Sequence, residues 1–160
     1  MERVSRILRN QAFLEHLREN ETAEEGRIFC HHNMEHFLDV ARIAMILNLQ
    51  EGLDIPEDMV YGAALLHDIG RHEQYKAGTP HEAASARIAP DILTGCGYSG
   101  EETEEIVEAI ALHRDSSAAG RADLTGILYR ADKASRACFC CKAGEQCSWS
   151  EERKNLELRW

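Results

Sequence analysis

The chain has 160 residues, enough for one domain with a real hydrophobic core, and its 44% apolar content excludes a disordered polymer. A formal net charge of −10 excludes broad, non-specific nucleic-acid binding, although a small phosphorylated ligand stays compatible because a bound divalent ion inverts the local field. No apolar run approaches the roughly 20 residues that cross a bilayer. The start, MERVSRILRNQAFLEH, lacks a signal-peptide core, so a cytoplasmic protein is expected.

Helical periodicity runs through the whole chain, with no strand-like alternation, and the expected fold class is all-α, with six to seven helices. From about Val4 to Leu17, Val4, Ile7, Leu8, Leu14 and Leu17 share one helical stripe, and the polar stretch Glu19 to Gly26 follows. The second helix spans about Asn33 to Leu49 and turns Phe37, Val40, Ala41, Ala44 and Leu47 or Met45 inward. Pro56 suits the first turn of a third helix through YGAALLHD, which stops near Gly70. Thr79-Pro80-His81-Glu82 has the form of a capping box and opens a fourth helix through Ile88. Ser99-Gly100-Glu101-Glu102 is a second box, and its helix carries Ile106, Val107, Ile110 and Leu112. Asp123 can cap a helix through Leu124, Leu128 and Ala131, and a short last helix is expected from Ser148 or Ser150.

The histidines cluster along this pattern. His67 and Asp68 end an apolar helix in ALLHDIG; neighbours on a helix differ by roughly 100°, but at a helix end both side chains can aim at one point. A carboxylate there can bridge two ions with its two oxygens. His36 precedes Val40 by four residues and shares its face. His81 falls in the first turn of its helix, and His113 ends the stripe of EEIVEAIALH. Asp132 lies in the apolar stretch ILYRAD, where an unpartnered carboxylate would cost several kcal/mol. Each residue alone is more often structural than a ligand; together they point to a metal site.

The order H…HD…H…H…D, with HDIG, resembles the HD superfamily of metal-dependent phosphohydrolases over His36 to Lys133. HFLDVA is similar to its first-histidine helix, LLHDIGR to its signature, and PHEAASARIA, EAIALHR and YRADK to its later ligand segments. The resemblance implies one HD domain over 1–160, with a ligand-bearing core at about 33–137 and a Cys-rich tail at 138–160. Within it, the likeness is to the dinuclear branch and to small bacterial members that hydrolyse dinucleoside tetraphosphates. One ion would then take His36, His67, Asp68 and Asp132, and the other Asp68, His81 and His113. Mixed imidazole and carboxylate ligation suits iron, manganese, nickel or zinc, with iron favoured by the likeness. The implied activity is hydrolysis of a nucleotide or other small phosphoester, with Asp68, Arg71 and Lys133 as catalytic candidates and Arg114 as a weaker cation. A di-iron oxygenase of the same fold and a non-catalytic metal or redox sensor are the alternatives.

Three features stand outside this pattern. His31 and His32 precede the first-histidine helix and read as a solvent-facing pair, with His32, four before His36, otherwise placed near the metal entrance. His72 reads as a loop histidine, or else as a relay behind the ligands. Cys138, Cys141 and Cys147, with Cys30, form a candidate structural zinc site, since thiols of a reducing compartment favour metal over disulfide chemistry. Such an ion would hold a tail whose apolar residues are mainly Phe139, Trp149, Leu156, Leu158 and Trp160; two tryptophans packed on the bundle beside free thiols would hold it otherwise. Cys96 reads as a small core residue.

Overall fold

A computed structural model describes residues 1–158; Trp160, one of the tryptophans expected to hold the tail, lies outside them. Eight α-helices follow one another: α1 Glu2–Ile7, α2 Gln11–Ala23, α3 Met34–Glu51, α4 Glu57–Leu66, α5 Arg71–Ala77, α6 His81–Gly95, α7 Gly100–Leu112 and α8 Leu124–Ala134. There is no strand among the described residues. α3 packs on α4 and α8, α7 on α6 and α8, and α5 bridges α2 and α6. No helix is long and apolar enough to cross a membrane.

Several boundaries follow from single residues. Asn33 caps α3 by accepting from the His36 backbone N–H, and Gly52 closes it in the left-handed conformation that glycine adopts without strain. Ser99 and Glu102 form the expected capping box of α7, and Asp123 caps α8 by accepting from the Gly126 N–H. The expected box at Thr79–Glu82 is absent: Pro80 is the cap residue and α6 starts without a side-chain cap. α6 also runs past Ile88 and through Pro90 to Gly95, because Ile92 and Leu93 are buried beyond the missing N–H.

The first expected helix is two. Asn10 caps α2 by accepting from the Phe13 N–H, which breaks the periodicity at that point. The break rotates α2 so that Phe13, Leu17 and Asn20 are buried while Leu14 is exposed. α2 then continues to Ala23 through the stretch expected to be polar loop. The region after HDIG, without a regular apolar stripe, is helical as α5 and brings His72 into a buried position against α2. The last expected helix is only a 3₁₀ turn, Glu151–Arg153. Phe139, Leu156 and Leu158 are exposed, whereas Cys96 is buried in the core as expected.

Two packing details position the ligand segments. Gly70 donates its N–H to Ser85 Oγ at 3.0 Å, and a Cβ there would stand 2.7 Å from both Ala84 Cβ and the Ser85 backbone nitrogen. The HDIG glycine therefore lets the end of α4 touch the backbone of α6. Arg3 ties α1 to α4 and α7: Nε donates to Asp58 Oδ2 at 2.6 Å, and Nη1 and Nη2 donate to the two Glu102 oxygens at 2.6 and 2.9 Å.

Gly70→Ala should lower stability by about 1–3 kcal/mol, the usual cost of overpacking, and weaken retention of metal because α6 carries His81. Chemical denaturation and metal analysis of the variant check both. Arg3→Ala should lower stability at neutral pH by an amount on the order of 1 kcal/mol, seen as a lower melting temperature. The Arg3 guanidinium holds Glu102 down to about 2 from an ordinary 4.5. The folded carboxyl is thus the stronger acid, and its contribution is complete above 4.5 and disappears as the pH falls toward 2. Melting curves of both proteins should converge across that window.

Candidate metal centre

His67 is the C-terminal cap of α4, and Asp68 follows it in the turn. α3 brings His36 from one side, and α8 brings Asp132. The first residue of α6, His81, and the cap of α7, His113, come from the other side. All six sequence-predicted residues meet: ligand atoms of His36, His67, Asp68 and Asp132 lie within 4.8 Å of one another, and so do those of Asp68, His81 and His113.

Asp68 divides its oxygens between the two sets. Its Oδ2 lies 3.3 Å from His67 Nε2 and 3.7 Å from His36 Nε2. Its Oδ1 lies 3.0 Å from His81 Nε2 and 3.6 Å from His113 Nε2. Asp132 Oδ1 completes the first set, 3.6 Å from His36 Nε2 and 3.9 Å from His67 Nε2. Donors on one ion with bonds of about 2.0–2.2 Å stand roughly 3–3.6 Å apart, so these separations suit an ion on either side of Asp68.

The hydrogen bonds behind the rings decide which nitrogen faces inward. Nδ1 of His67 donates to Ala64 O at 2.7 Å, and Nδ1 of His113 to Ile110 O at 2.6 Å. Nδ1 of His81 lies 2.6 Å from both Gln74 Oε1 and the donating Nη1 of Arg71, so its tautomer is not fixed in the same way. Ser135 donates its hydroxyl to Asp132 O at 2.8 Å and so receives His36 Nδ1 at 3.3 Å. Nε2 of His36, His67 and His113 is therefore left as a lone pair aimed at the Asp68 carboxylate. His36 Nε2, His67 Nε2 and Asp68 Oδ1 are buried without a hydrogen-bond partner. Buried acceptors facing one another repel unless a cation stands between them, so the residues fit a pair of metal ions.

Electrostatics favour the ligating charge states of His36, His81 and Asp132. At His67, in contrast, burial is outweighed by the Asp68 and Asp132 carboxylates, which raise the imidazole. Burial pushes the His36 and His81 imidazoles down, toward the neutral form. Burial alone would raise Asp132, but Arg136 and Lys133 hold its carboxyl well below the usual range. Lys133 Nζ donates to Asp132 Oδ2 at 2.8 Å, and Arg136 Nη2 to Oδ1 at 3.1 Å. Lys133 thus engages a ligand carboxylate directly. Arg71 lies at the rim with Nη1 3.1 Å from His81 Nε2, and Arg114 is an exposed cation 3.8 Å from Glu82.

Five residues at the centre were not singled out from the sequence: Asn20, Glu24, Gln74, Ser135 and Arg136. Asn20 is buried, donates to Asp68 O at 2.9 Å and accepts from the His72 N–H at 2.7 Å. Asn20 and Glu24 continue the inward stripe of Phe13 and Leu17, which is the signal that marks them. His32 is buried, not solvent-facing, because Glu24 beneath it supplies a carboxylate; its Nδ1 lies 2.5 Å from Glu24 Oε1. Burial works against the Glu24 carboxyl, but the hydrogen bond from His32 holds it down to about 2.

His16, Glu19 and His72 form another group with ligand atoms in reach of one another. Here His16 Nδ1 meets His72 Nε2 at 2.9 Å, and Glu19 Oε2 lies 2.8 Å from His72 Nδ1, which is buried without a hydrogen bond of good geometry. The expected thiolate site is not assembled. Cys30, Cys138, Cys140, Cys141 and Cys147 border one cavity of about 490 Å³ beside His36, but among the described residues no metal-competent group contains a sulfur. The turns Cys138–Cys140 and Gly144–Gln146 space the thiols along the cavity wall.

Residues 33–137 match the family model described as the HD domain, and the chain belongs to that family, whose members are generally metal-dependent phosphohydrolases that bind divalent ions. The chain is also 44% identical over 158 residues to an uncharacterized protein of Clostridium beijerinckii, a match that covers 99% of each. No solved structure matches the chain.

Asp68→Ala should reduce bound metal from two ions per chain to less than one, whereas His113→Ala should leave one. Metal analysis after dialysis against a weak chelator checks this; equal losses in the two variants would show that Asp68 does not serve both ions.

Proposed function

We propose that this protein is a dinuclear metal-dependent phosphohydrolase acting on a nucleotide or another small phosphoester. The observation that carries the reading is the division of the Asp68 oxygens between two sets of inward-facing imidazoles. His36, His67, Asp68 and Asp132 would hold one ion, and Asp68, His81 and His113 the other. Iron is the first choice of metal, with manganese, nickel and zinc also suited to mixed imidazole and carboxylate ligation. A bound ion pair supplies a hydroxide near neutral pH, holds phosphoryl oxygens for in-line attack and offsets charge on the leaving oxygen.

The chain's own residues prepare the reaction in three ways. Hydrogen bonds from Nδ1 to backbone carbonyls keep His67 and His113 in the tautomer that binds cations through Nε2. Lys133 and Arg136 keep Asp132 ionised and fixed in place. Arg71, half-buried at the rim beside His81 and Tyr75, can turn its guanidinium onto a phosphate with two parallel N–H donors. On the His36 side, a separate cavity is lined by Arg27, Arg136 and Lys154, with Glu35 and Asp39 among its walls, and can receive the remainder of an anionic substrate. A dinucleoside polyphosphate would suit two cationic regions flanking one reacting centre.

The test is a screen of the metal-loaded protein against phosphorylated metabolites, with nucleoside polyphosphates included. Arg71→Ala should raise KM for the best substrate by 10-fold or more, with metal content unchanged. Unaltered KM and kcat would return Arg71 to an ordinary surface cation, and the absence of any hydrolysis product, nucleotide or phosphate, from every compound would overturn the hydrolase reading.

A further inference from the structure

His32 is used by none of the ligand sets above, yet only 2% of it is exposed. It sits in the segment that leads into α3, four residues before His36. Its surroundings repeat the device of His67 and His113 and add to it. Glu24, itself 1% exposed, takes the His32 backbone N–H on Oε2 at 2.7 Å and the ring Nδ1 on Oε1 at 2.5 Å. Tyr75 donates its hydroxyl to the same Glu24 Oε1 at 2.7 Å. The carboxylate is thus held at both oxygens, and the ring is held at Nδ1. His32 Nε2 is left facing the centre, 3.7 Å from Asp68 Oδ2, the distance at which His36 Nε2 also stands from that oxygen. The His32 and His36 rings meet edge to face at 5.5 Å between centroids.

The geometry points to His32 as a fifth protein ligand of the ion on the Oδ2 side of Asp68, with Glu24 and Tyr75 as its positioning residues. Its Nε2 reaches Asp68 but stands outside the group of four whose ligand atoms all lie within 4.8 Å, so it would be the most distant donor. A carboxylate behind a metal-binding imidazole fixes the tautomer and raises the basicity of the inward nitrogen, and Glu24 stands behind His32 at hydrogen-bond distance. A solvent-facing or purely structural histidine would not need both oxygens of a buried carboxylate, and it would not leave its second nitrogen beside Asp68. The consequence is an asymmetric centre. The ion among His32, His36, His67, Asp68 and Asp132 would be nearly enclosed by protein. The ion on Asp68, His81 and His113 would keep its open positions toward Arg71.

The inference rests on the dinuclear reading but not on the substrate, so its test is metal binding. The probe is Co²⁺ titrated into metal-free protein, followed by visible absorption and by competition with a chelator. The wild-type chain should bind two ions in two resolved steps. His32→Ala and the volume-conserving His32→Gln should weaken the tighter step at least 10-fold, change its absorption band and leave the weaker step alone. Glu24→Gln should weaken the same step by about 10–100-fold, as loss of a partner behind a ligand does. His81→Ala should weaken only the other step. Unfolding of metal-free His32→Gln, followed by circular dichroism, should match the wild type, and the stabilisation on adding Co²⁺ should shrink. Two wild-type steps with unchanged affinity and spectrum in folded His32→Gln and Glu24→Gln would overturn the assignment of His32 alone. Absence of any bound Co²⁺ in the wild type would overturn the dinuclear reading and this inference with it.

Discussion

The hydrogen bond behind each imidazole is the constraint on which the rest of the centre depends. A neutral histidine presents one donor and one acceptor, and the protein chooses between them by giving Nδ1–H a partner. His67 and His113 find theirs three residues back, in the carbonyls of Ala64 and Ile110. Both histidines cap the C-terminus of a helix, where carbonyls lack intrahelical partners. One bond therefore satisfies an orphan acceptor and aims an Nε2 lone pair at Asp68. The C-terminal ends of α4 and α7 also carry partial negative charge, which favours a cation between them.

The same arrangement is unfavourable when considered as packing. His81 Nε2 and His113 Nε2 stand 3.3 Å apart, each near Asp68 Oδ1, and all three are buried. Nothing in a hydrophobic core requires such a cluster, and its polar atoms would be cheaper to hold at the surface. The strain is offset around the rim: Lys133 and Arg136 neutralise Asp132, and Asn20 fixes the Asp68 backbone from α2. Gly70 allows α6 to approach closely enough for His81 to reach Asp68 at all. The short helices α1, α2 and α5 thus serve the centre through backbone and rim contacts, while α3, α4, α6, α7 and α8 supply or flank the metal-facing side chains.

The candidate ligands were legible in the sequence because they lie near the ends of strongly periodic helices, whose caps are written in single residues. Ser99 with Glu102, Asp123 and the stop at Gly52 are such marks. What stood behind the ligands was less legible. Glu24 lies eight residues from His32, and Gln74 lies seven from His81, so no local pattern pairs them. The break at Asn10 exchanged Phe13 for Leu14 on the inward face, and that shift hid the stripe leading to Asn20 and Glu24. α5 was missed because seven residues are too few to show a period, and it holds its place by packing on α2 and α6. The cysteine spacing, in contrast, suggested more than the structure brings together, since chelating spacing in sequence does not fix where short 3₁₀ turns point their sulfurs.

The tail extends the rule found at the histidines. From Cys138 on it buries little beyond Ala143, so apolar contact does not explain its position. Asn155 instead donates its amide to the carbonyls of Lys133, Ala134 and Arg136, at and just past the end of α8. Lys154 donates to Gly144 O, and the Arg136 guanidinium lies over the Trp149 ring at 5.4 Å. The tail is therefore pinned to the helix that carries Asp132, by way of the residue whose guanidinium holds that carboxylate. Three helix ends, those of α4, α7 and α8, use side-chain donors on their last carbonyls, and each also fixes a group at the centre. The metal-facing geometry and the closure of the chain over it thus depend on one physical fact, that a helix ends with carbonyls that need a partner.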